Sequence, residues 1–288
     1  MSTELELLKQ LRDITGAGIL DCKKYLVRAN NKLDDAIKLM RSEEGIKADK
    51  KSSRVAAEGV VYFKSNSAKS LLIEINSETD FVARGDDFLE YVNQTCEMII
   101  TSSYTSLEML HNSDDEAIKN NLEELRKNYV TKLGENIQIR RFDCLDNTKS
   151  FVTGYTHNNK IGAVVALAKE DSQLSKDICM QIVASYPLAL DENSLDEKTL
   201  ANEREVYKAE LDKLDKKDDI KRNIMDGKVK KFITDNTLLN QPYIKDGSLS
   251  LKKILKDNEI LSYTRYQLGE GIEKKQEDFA DEVYSQIK

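Results

Sequence analysis

The chain is short of the residues from which most active sites are built. Only two histidines occur, His111 and His157, and they are isolated from one another. No zinc cluster and no histidine-based triad can be assembled from them. The four cysteines, Cys22, Cys96, Cys144 and Cys179, lie far apart and form no C-x-x-C pair. They read as free thiols of a reducing compartment. Two prolines in 288 residues favour long unbroken helices over Pro-rich linkers, because proline removes a backbone donor and breaks helix interiors. No apolar run approaches the ~20 residues that span a bilayer. Residues 1–11 already alternate acidic and apolar positions in helical fashion, so no signal peptide is expected and the expected compartment is the cytoplasm. Nothing resembles a nucleophile elbow or a dinucleotide fingerprint. Neither a covalent reaction nor a cofactor is expected.

What the chain has in quantity is charge. Charged residues make up 33%, hydrophobic ones 40%, and 44 basic against 51 acidic side chains leave a formal charge of −7. That balance argues against a partner dominated by phosphate. A chain of this length can bury roughly three quarters of its unfolded surface, enough for more than one modest domain.

Residues 3–44 pattern as three short helices. Leu5, Leu8 and Leu11 stripe the first; Ile19, Cys22, Leu26 and Ala29 the second; Ala36, Ile37 and Met40 the third. Gly16 and Gly18 lack a preceding strand and a following Gly-Lys-Ser/Thr, so they read as an interhelical turn and not as a phosphate loop. A basic, apolar-poor bridge over 47–54 follows. It reads as a helix end and linker, since no aromatic residue is interleaved for base stacking.

From Glu58 the period changes to that of strands, with a hairpin over 59–63 and 70–76. Residues 77–84, Ser-Glu-Thr-Asp-Phe-Val-Ala-Arg, then connect strand to helix. Thr79 or Asp80 is suited to cap a helical turn there. Phe81 is left on a polar turn, where a large ring needs a recipient. A helix over 86–102 buries Phe88, Tyr91, Val92, Thr95, Cys96 and Ile99; another is expected near 114–131. In the strand that follows, Ile137 and Ile139 alternate with Gln138 and Arg140. A second hairpin over 151–168 turns at Asn158-Asn159, residues suited to positive φ, and a helix over 172–186 follows it. Hairpin-then-helix thus occurs twice, and only the first copy carries the Phe81 motif. Residues 196–232 are charged helix formers with a sparse seam (Leu200, Val206, Leu211, Leu214, Ile220, Ile224 and Val229), which suits an antiparallel helical hairpin. A short helix at 249–256, a strand near 259–267 and a last helix over 273–286, with Phe279, Val283 and Ile287 apolar, complete the pattern.

The string Thr-Asp-Phe-Val-Ala-Arg over 79–84 resembles the signature of the bacterial translation elongation factor Ts family, exchange factors for elongation factor Tu. Further strings match in order: Thr15 to Lys24, Gly134-Glu135-Asn136-Ile137, Ile139-Arg140-Arg141, Tyr155 with His157, Ile161-Gly162, Lys230-Lys231-Phe232, Gln241-Pro242-Tyr243, and residues 269–274. Arg84 stands where the family also uses Lys, and the turn of the helical hairpin is short and highly charged.

The resemblance implies an α+β fold: a UBA-like three-helix module (1–45), a basic linker (46–56), a two-part core (57–144, then 145–194 with 233–268), a protruding antiparallel coiled coil (195–232) and a C-terminal helix (269–288). It implies that Thr79, Asp80, Phe81 and Val82 dislocate Mg²⁺ from elongation factor Tu carrying GDP, and that Arg12, Ile19, Leu20, Leu133, Gly134, His157 and the C-terminal helix bind that partner. It implies no metal of the chain's own, no direct nucleic-acid or membrane contact, and either a one-to-one complex or a dimer of heterodimers. Read from the residues alone, His157 is an exposed turn residue. Two rival readings remain at this stage: an adaptor whose N-terminal module binds a ubiquitin-like or peptide ligand, and a nucleic-acid binder resting on the lysine runs.

Overall fold

A computed structural model describes residues 4–15 and 17–273; the side chains of 41 and 44–47 are likewise outside the description. Gly16 and almost all of the helix expected over 273–286, including Phe279, Val283 and Ile287, therefore lie outside the described residues. The fold is mixed α+β with small antiparallel sheets. Among the described residues no helix is long and apolar enough to cross a membrane.

Three helices open the chain: α1 (Glu4–Thr15), α2 (Ile19–Arg28) and α3 (Leu33–Lys51). They close on Leu11, Cys22, Tyr25, Leu26, Ala36 and Met40. After α2, Asn30 and Asn31 take φ of 51° and 57°, left-handed conformations that asparagine tolerates better than most residues. Two residues expected on the inner stripes point outward instead, Leu5 at 76% and Ile19 at 51% exposure. Both stand in the first turn of their helix, and Tyr25, 1% exposed, joins the inner face of α2. The third helix also runs further than expected, through the first half of the 46–56 segment. Lysine and alanine there are good helix formers, and no proline stops them.

The first core unit is the hairpin β1 (Glu58–Ser65) and β2 (Lys69–Ser77), then α4 (Asp80–Ala83), α5 (Asp86–Thr101), the unforeseen short α6 (Leu107–His111), α7 (Glu116–Leu133) and β3 (Ile137–Asp146). The strands lie in the order β1-β2-β3, all antiparallel. All six residues expected on the inner face of α5 are buried. Asp49, near the end of α3, pairs with Lys127 of α7 at 3.0 Å, tying the helical module's stalk to this unit.

The second unit repeats the plan with β4 (Phe151–His157), β5 (Ile161–Leu167) and α8 (Ser172–Ser185). Asn158 and Asn159 turn the hairpin at φ of 51° and 54°. The chain then leaves for α9 (Glu197–Asp212) and α10 (Asp218–Asn236), an antiparallel pair. Their seam is narrower than the sequence predicts: Leu211 and Val229 are buried, whereas Val206, Leu214 and Ile220 are exposed. Tyr207 sits on the seam side, its ring 4.9 Å from the Lys228 ammonium. The chain returns through β6 (Pro242–Tyr243), β7 (Asp246–Ser250) and α11 (Leu251–Leu255), and β8 (Ile260–Gln267) completes a second antiparallel sheet in the order β4-β5-β8.

The two sheets pack face to face. Alternate residues of each strand point to opposite faces, so Val60, Leu71, Ile73 and Ile75 face the α5–α7 side, while Val61 and Leu72 meet Val164 and Tyr266 across the inter-sheet space. This explains why β2 is buried along nearly its whole length and reads as a near-continuous apolar run. Two glycines permit the close approach. A Cβ on Gly154 would stand 2.2 Å from the Phe63 ring, and one on Gly162 would stand 2.7 Å from Val61.

Inside this layer Glu74 is fully buried. It accepts from Arg140 at 2.8 Å, from Arg141 at 2.7 Å and from the backbone N–H of Gly269 at 2.8 Å. The register of β2 against β3 shifts there, with Glu74 opposite Arg141 but Ile75 opposite Ile139. That β-bulge leaves Arg140 as the extra residue and lets two consecutive arginines reach one carboxylate.

Candidate functional site

Strand β2 passes into α4 through Ser77, Glu78 and Thr79, and each of these is held. The Ser77 hydroxyl donates to the Thr79 carbonyl at 2.9 Å. Thr79, in extended conformation (φ −120°, ψ 157°), caps α4 by accepting from the Val82 N–H at 3.3 Å. Its own N–H donates to Glu135 Oε2 at 3.0 Å and its hydroxyl to Glu135 Oε1 at 2.6 Å. Glu78 accepts from the Asn136 N–H at 2.6 Å and from Arg54 at 3.4 Å, and the Asn136 amide donates to the carbonyls of Ser52 and Arg54.

Gly134 makes this clamp possible. It ends α7 at φ 79°, with its N–H on the Val130 carbonyl. This is the left-handed cap that glycine supplies without a Cβ penalty, and it turns Glu135 and Asn136 back toward the tip.

With both sides fixed, the single turn of α4 has a defined inside and outside. Ala83 is 4% exposed and Val82 packs on the first core, as does Leu133 from the neighbouring turn. Phe81 is 83% exposed. Asp80 and Arg84 pair along the turn at 2.7 Å. Phe81 is thus a ring that no described residue receives, on a turn locked by charge-assisted hydrogen bonds.

The sequence of the same region is decisive. The profile of the family described as Elongation factor TS matches residues 78–270. The chain belongs to the elongation factor Ts family. It is 38% identical to elongation factor Ts of Thioalkalivibrio sulfidiphilus over 295 aligned residues, covering 100% of this chain and 99% of that protein. It is 38% identical to elongation factor Ts of Legionella pneumophila (98% of this chain, 97% of that protein) and 39% identical to that of Halorhodospira halophila (100% and 99%). Family membership makes it a translation elongation factor of the nucleotide-exchange type.

The residues that the elongation factor Ts resemblance marks fall into three places. Thr79, Asp80, Phe81, Val82, Leu133 and Gly134 share the clamped tip. His157 stands exposed at the end of β4, within 3.2 Å of the Tyr155 hydroxyl and 3.4 Å of the Asn158 amide. Its hairpin leans on the first sheet: the Asn159 carbonyl accepts from the Val61 N–H at 2.8 Å, and Lys160 pairs with Glu58 at 3.0 Å. Arg12, Ile19 and Leu20 are exposed on the helical module, Leu20 at 84%. Three clamp residues, Glu78, Glu135 and Asn136, carry no role in the sequence reading. The signal for Glu135 and Asn136 was an acid and an amide directly after a helix-ending glycine; Glu78 had none beyond its place beside Thr79. Among the described residues no group of three or more His, Cys, Asp or Glu is arranged to hold a metal ion.

Proposed function

We propose that this chain is a guanine-nucleotide exchange factor for elongation factor Tu, working in the cytosol and without covalent chemistry. It binds elongation factor Tu carrying GDP, the Asp80–Phe81 tip enters the partner, and the Mg²⁺ and phosphate site there is disturbed until GDP leaves. The factor stays bound until GTP arrives. The observation that carries this reading is Phe81, 83% exposed on a turn whose backbone is bolted to Glu135.

A wedge must be rigid to transmit force, and the clamp supplies that rigidity. Mg²⁺ demands near-ideal octahedral geometry and bridges protein oxygens to phosphate, so a small displacement of its ligands is costly. Burying a phenylalanine ring is worth about 1.5–3 kcal/mol, which at 1.4 kcal/mol per decade weakens nucleotide binding by only ~10–100-fold. Further docking is therefore required. We assign it to Leu133 and Gly134 beside the tip, to His157 on the second hairpin, to Arg12, Ile19 and Leu20 of the helical module, and to the C-terminal segment. Two exposed apolar side chains at the start of α2 support the module's share. Linkage makes the effect reciprocal: nucleotide that rebinds must weaken the factor's hold by the same factor.

The test is release of labelled GDP from elongation factor Tu with and without this chain. Faster release at catalytic amounts of the chain is expected; unchanged release would remove the proposal. Analytical ultracentrifugation of the nucleotide-free complex distinguishes a one-to-one pair from a dimer of pairs.

A further inference from the structure

One helix carries the helical module to the core unit that bears the tip. α3 has 19 residues, a length of about 28 Å at 1.5 Å per residue. Its first half belongs to the module, where Ala36 and Met40 are buried. Its last turns belong to the first core unit, where Ala48 joins the core and Asp49 pairs with Lys127 at 3.0 Å and with Arg126 at 3.6 Å. A rod of this length is a lever: a tilt of about 10° at its base moves its far end by about 5 Å. Its base therefore needs firm holding, and the Asp49 pairs alone supply little, because that side chain is 55% exposed and exposed ion pairs are weak.

Asn136 adds the missing hold. Its side chain is buried, and its amide donates to the Arg54 carbonyl at 2.9 Å and to the Ser52 carbonyl at 3.3 Å. Ser52 is the C-cap of α3, and a helix end leaves its last carbonyls without partners of their own. The backbone N–H of Asn136 donates to Glu78 at 2.6 Å, one residue before the cap of α4. Arg54 closes the ring by reaching the same Glu78 oxygen at 3.4 Å. One buried residue thus meets the base of the lever with its side chain and the root of the tip with its backbone.

We infer that Asn136 is a positioning residue for exchange: it sets the direction of α3 against the tip, so that Leu20 and Phe81 reach the partner together. The inference rests on the exchange reading. Once the tip has engaged, docking of the module is an intramolecular event, and its strength depends on the effective concentration that the lever provides. A loosened base lowers that concentration while leaving both contact surfaces intact. Being buried, Asn136 acts through the two surfaces it aligns.

The test follows GDP release from elongation factor Tu against the concentration of the full chain, for the unaltered chain, Asn136→Ala, Leu20→Ala and the two together. Asn136→Ala keeps the backbone N–H on Glu78, so the maximal rate should stay within about twofold while the half-maximal concentration rises about fivefold or more. Leu20→Ala should raise the half-maximal concentration in the unaltered background and add little to Asn136→Ala. Asn136→Asp, which keeps the shape but turns an acceptor toward two carbonyls, should act in the same direction as Asn136→Ala. In the free chain, ¹⁵N relaxation should show the amides of α1 and α2 tumbling with the core, and tumbling separately from it in Asn136→Ala. Additive effects of the two substitutions, a lower maximal rate at unchanged half-maximal concentration, or unchanged tumbling in Asn136→Ala would each overturn the inference. No acceleration by the unaltered chain would remove the exchange reading itself, and the inference with it.

Discussion

Thr79 and Glu135, 56 positions apart in sequence, are joined twice: one carboxylate oxygen takes the Thr79 hydroxyl at 2.6 Å and the other its backbone N–H at 3.0 Å. Both bonds are charge-assisted, so together they are stronger than a neutral pair. They fix the residue that caps α4, and hence the direction in which Phe81 leaves the turn. Glu135→Ala should therefore cost about 1–3 kcal/mol of stability by leaving the Thr79 donors unpaired, read as a shift in denaturant midpoint. Because the ring itself is untouched, exchange should fall about tenfold or more while Phe81 stays solvent-exposed. An unaltered exchange rate would show that the clamp is structural only.

Phe81→Ala separates function from stability in the opposite way. At 83% exposure the ring contributes little to folding, so the melting temperature should move by no more than a degree or two, since exposed positions away from special features change stability by less than about 0.5 kcal/mol. GDP release should slow by about 10–100-fold. If the ring acts as a wedge, the exchange rate should drop further than the affinity for elongation factor Tu. Equal losses in both would make Phe81 an anchor.

The local parts of this architecture were legible in the sequence. Helical spacing located the buried face of α5 residue by residue, and Asn158-Asn159 announced a turn that needs positive φ. A lone Phe on a polar turn pointed to the tip. Long-range pairings left weaker traces. Glu135 was visible only as part of a matching string, because a clamp across 56 positions has no periodicity to betray it. Arg140 read as an outward position in an alternating strand, but the bulge opposite Glu74 and Ile75 turns it onto a buried carboxylate. Leu5, Ile19 and Val206 read as stripe residues; a stripe says which side of a helix is apolar, not how far the neighbouring helix extends along it. Sheet-on-sheet packing was hidden for a similar reason, since Gly154 and Gly162 declare an approach only once Phe63 and Val61 are seen against them.

The helical module should respond to acid through the Arg28–Glu43 ion pair. Arg28 grips Glu43 with both ends of its guanidinium, and Tyr25 adds a third hydrogen bond at 3.2 Å. The Arg28 hydrogen bonds in the first place hold the Glu43 carboxyl down from 4.5 to about 2. A carboxyl whose pKa falls on folding adds stability above its unfolded value and loses it as pH drops through the folded one. The α2–α3 contact should therefore hold above about pH 4.5 and weaken between pH 4.5 and 2. Carboxyl NMR titration of Glu43 measures this directly. In Arg28→Met the titration midpoint should return toward 4.5, and the module's acid sensitivity in that window should fall.

Glu74 offers the sharpest test of how the two sheets are held. It is buried without exposure, takes Arg140, Arg141 and the Gly269 N–H, and so ties the bulge in the first sheet to the segment that follows β8. Arg140 reaches on to the Glu270 carbonyl, and Arg141 to the Glu270 carboxylate at 3.1 Å, with its guanidinium stacked 4.3 Å from the Tyr266 ring. Removing one member of a buried charge network strands the others, at a cost of about 3–5 kcal/mol. Glu74→Gln should lower stability by that amount and speed hydrogen exchange at Gly269 more than at α5. Replacing the set together, Glu74→Leu with Arg140→Met and Arg141→Met, leaves no fully buried charge unpaired, since Glu270, which loses Arg141, is partly exposed. If desolvated charge is what the single variant exposes, the triple variant should recover most of the loss. If both are equally destabilised, the ties to the segment after β8 are the terms that matter, since the triple variant removes Glu74 from Gly269 and both arginines from Gln267 and Glu270.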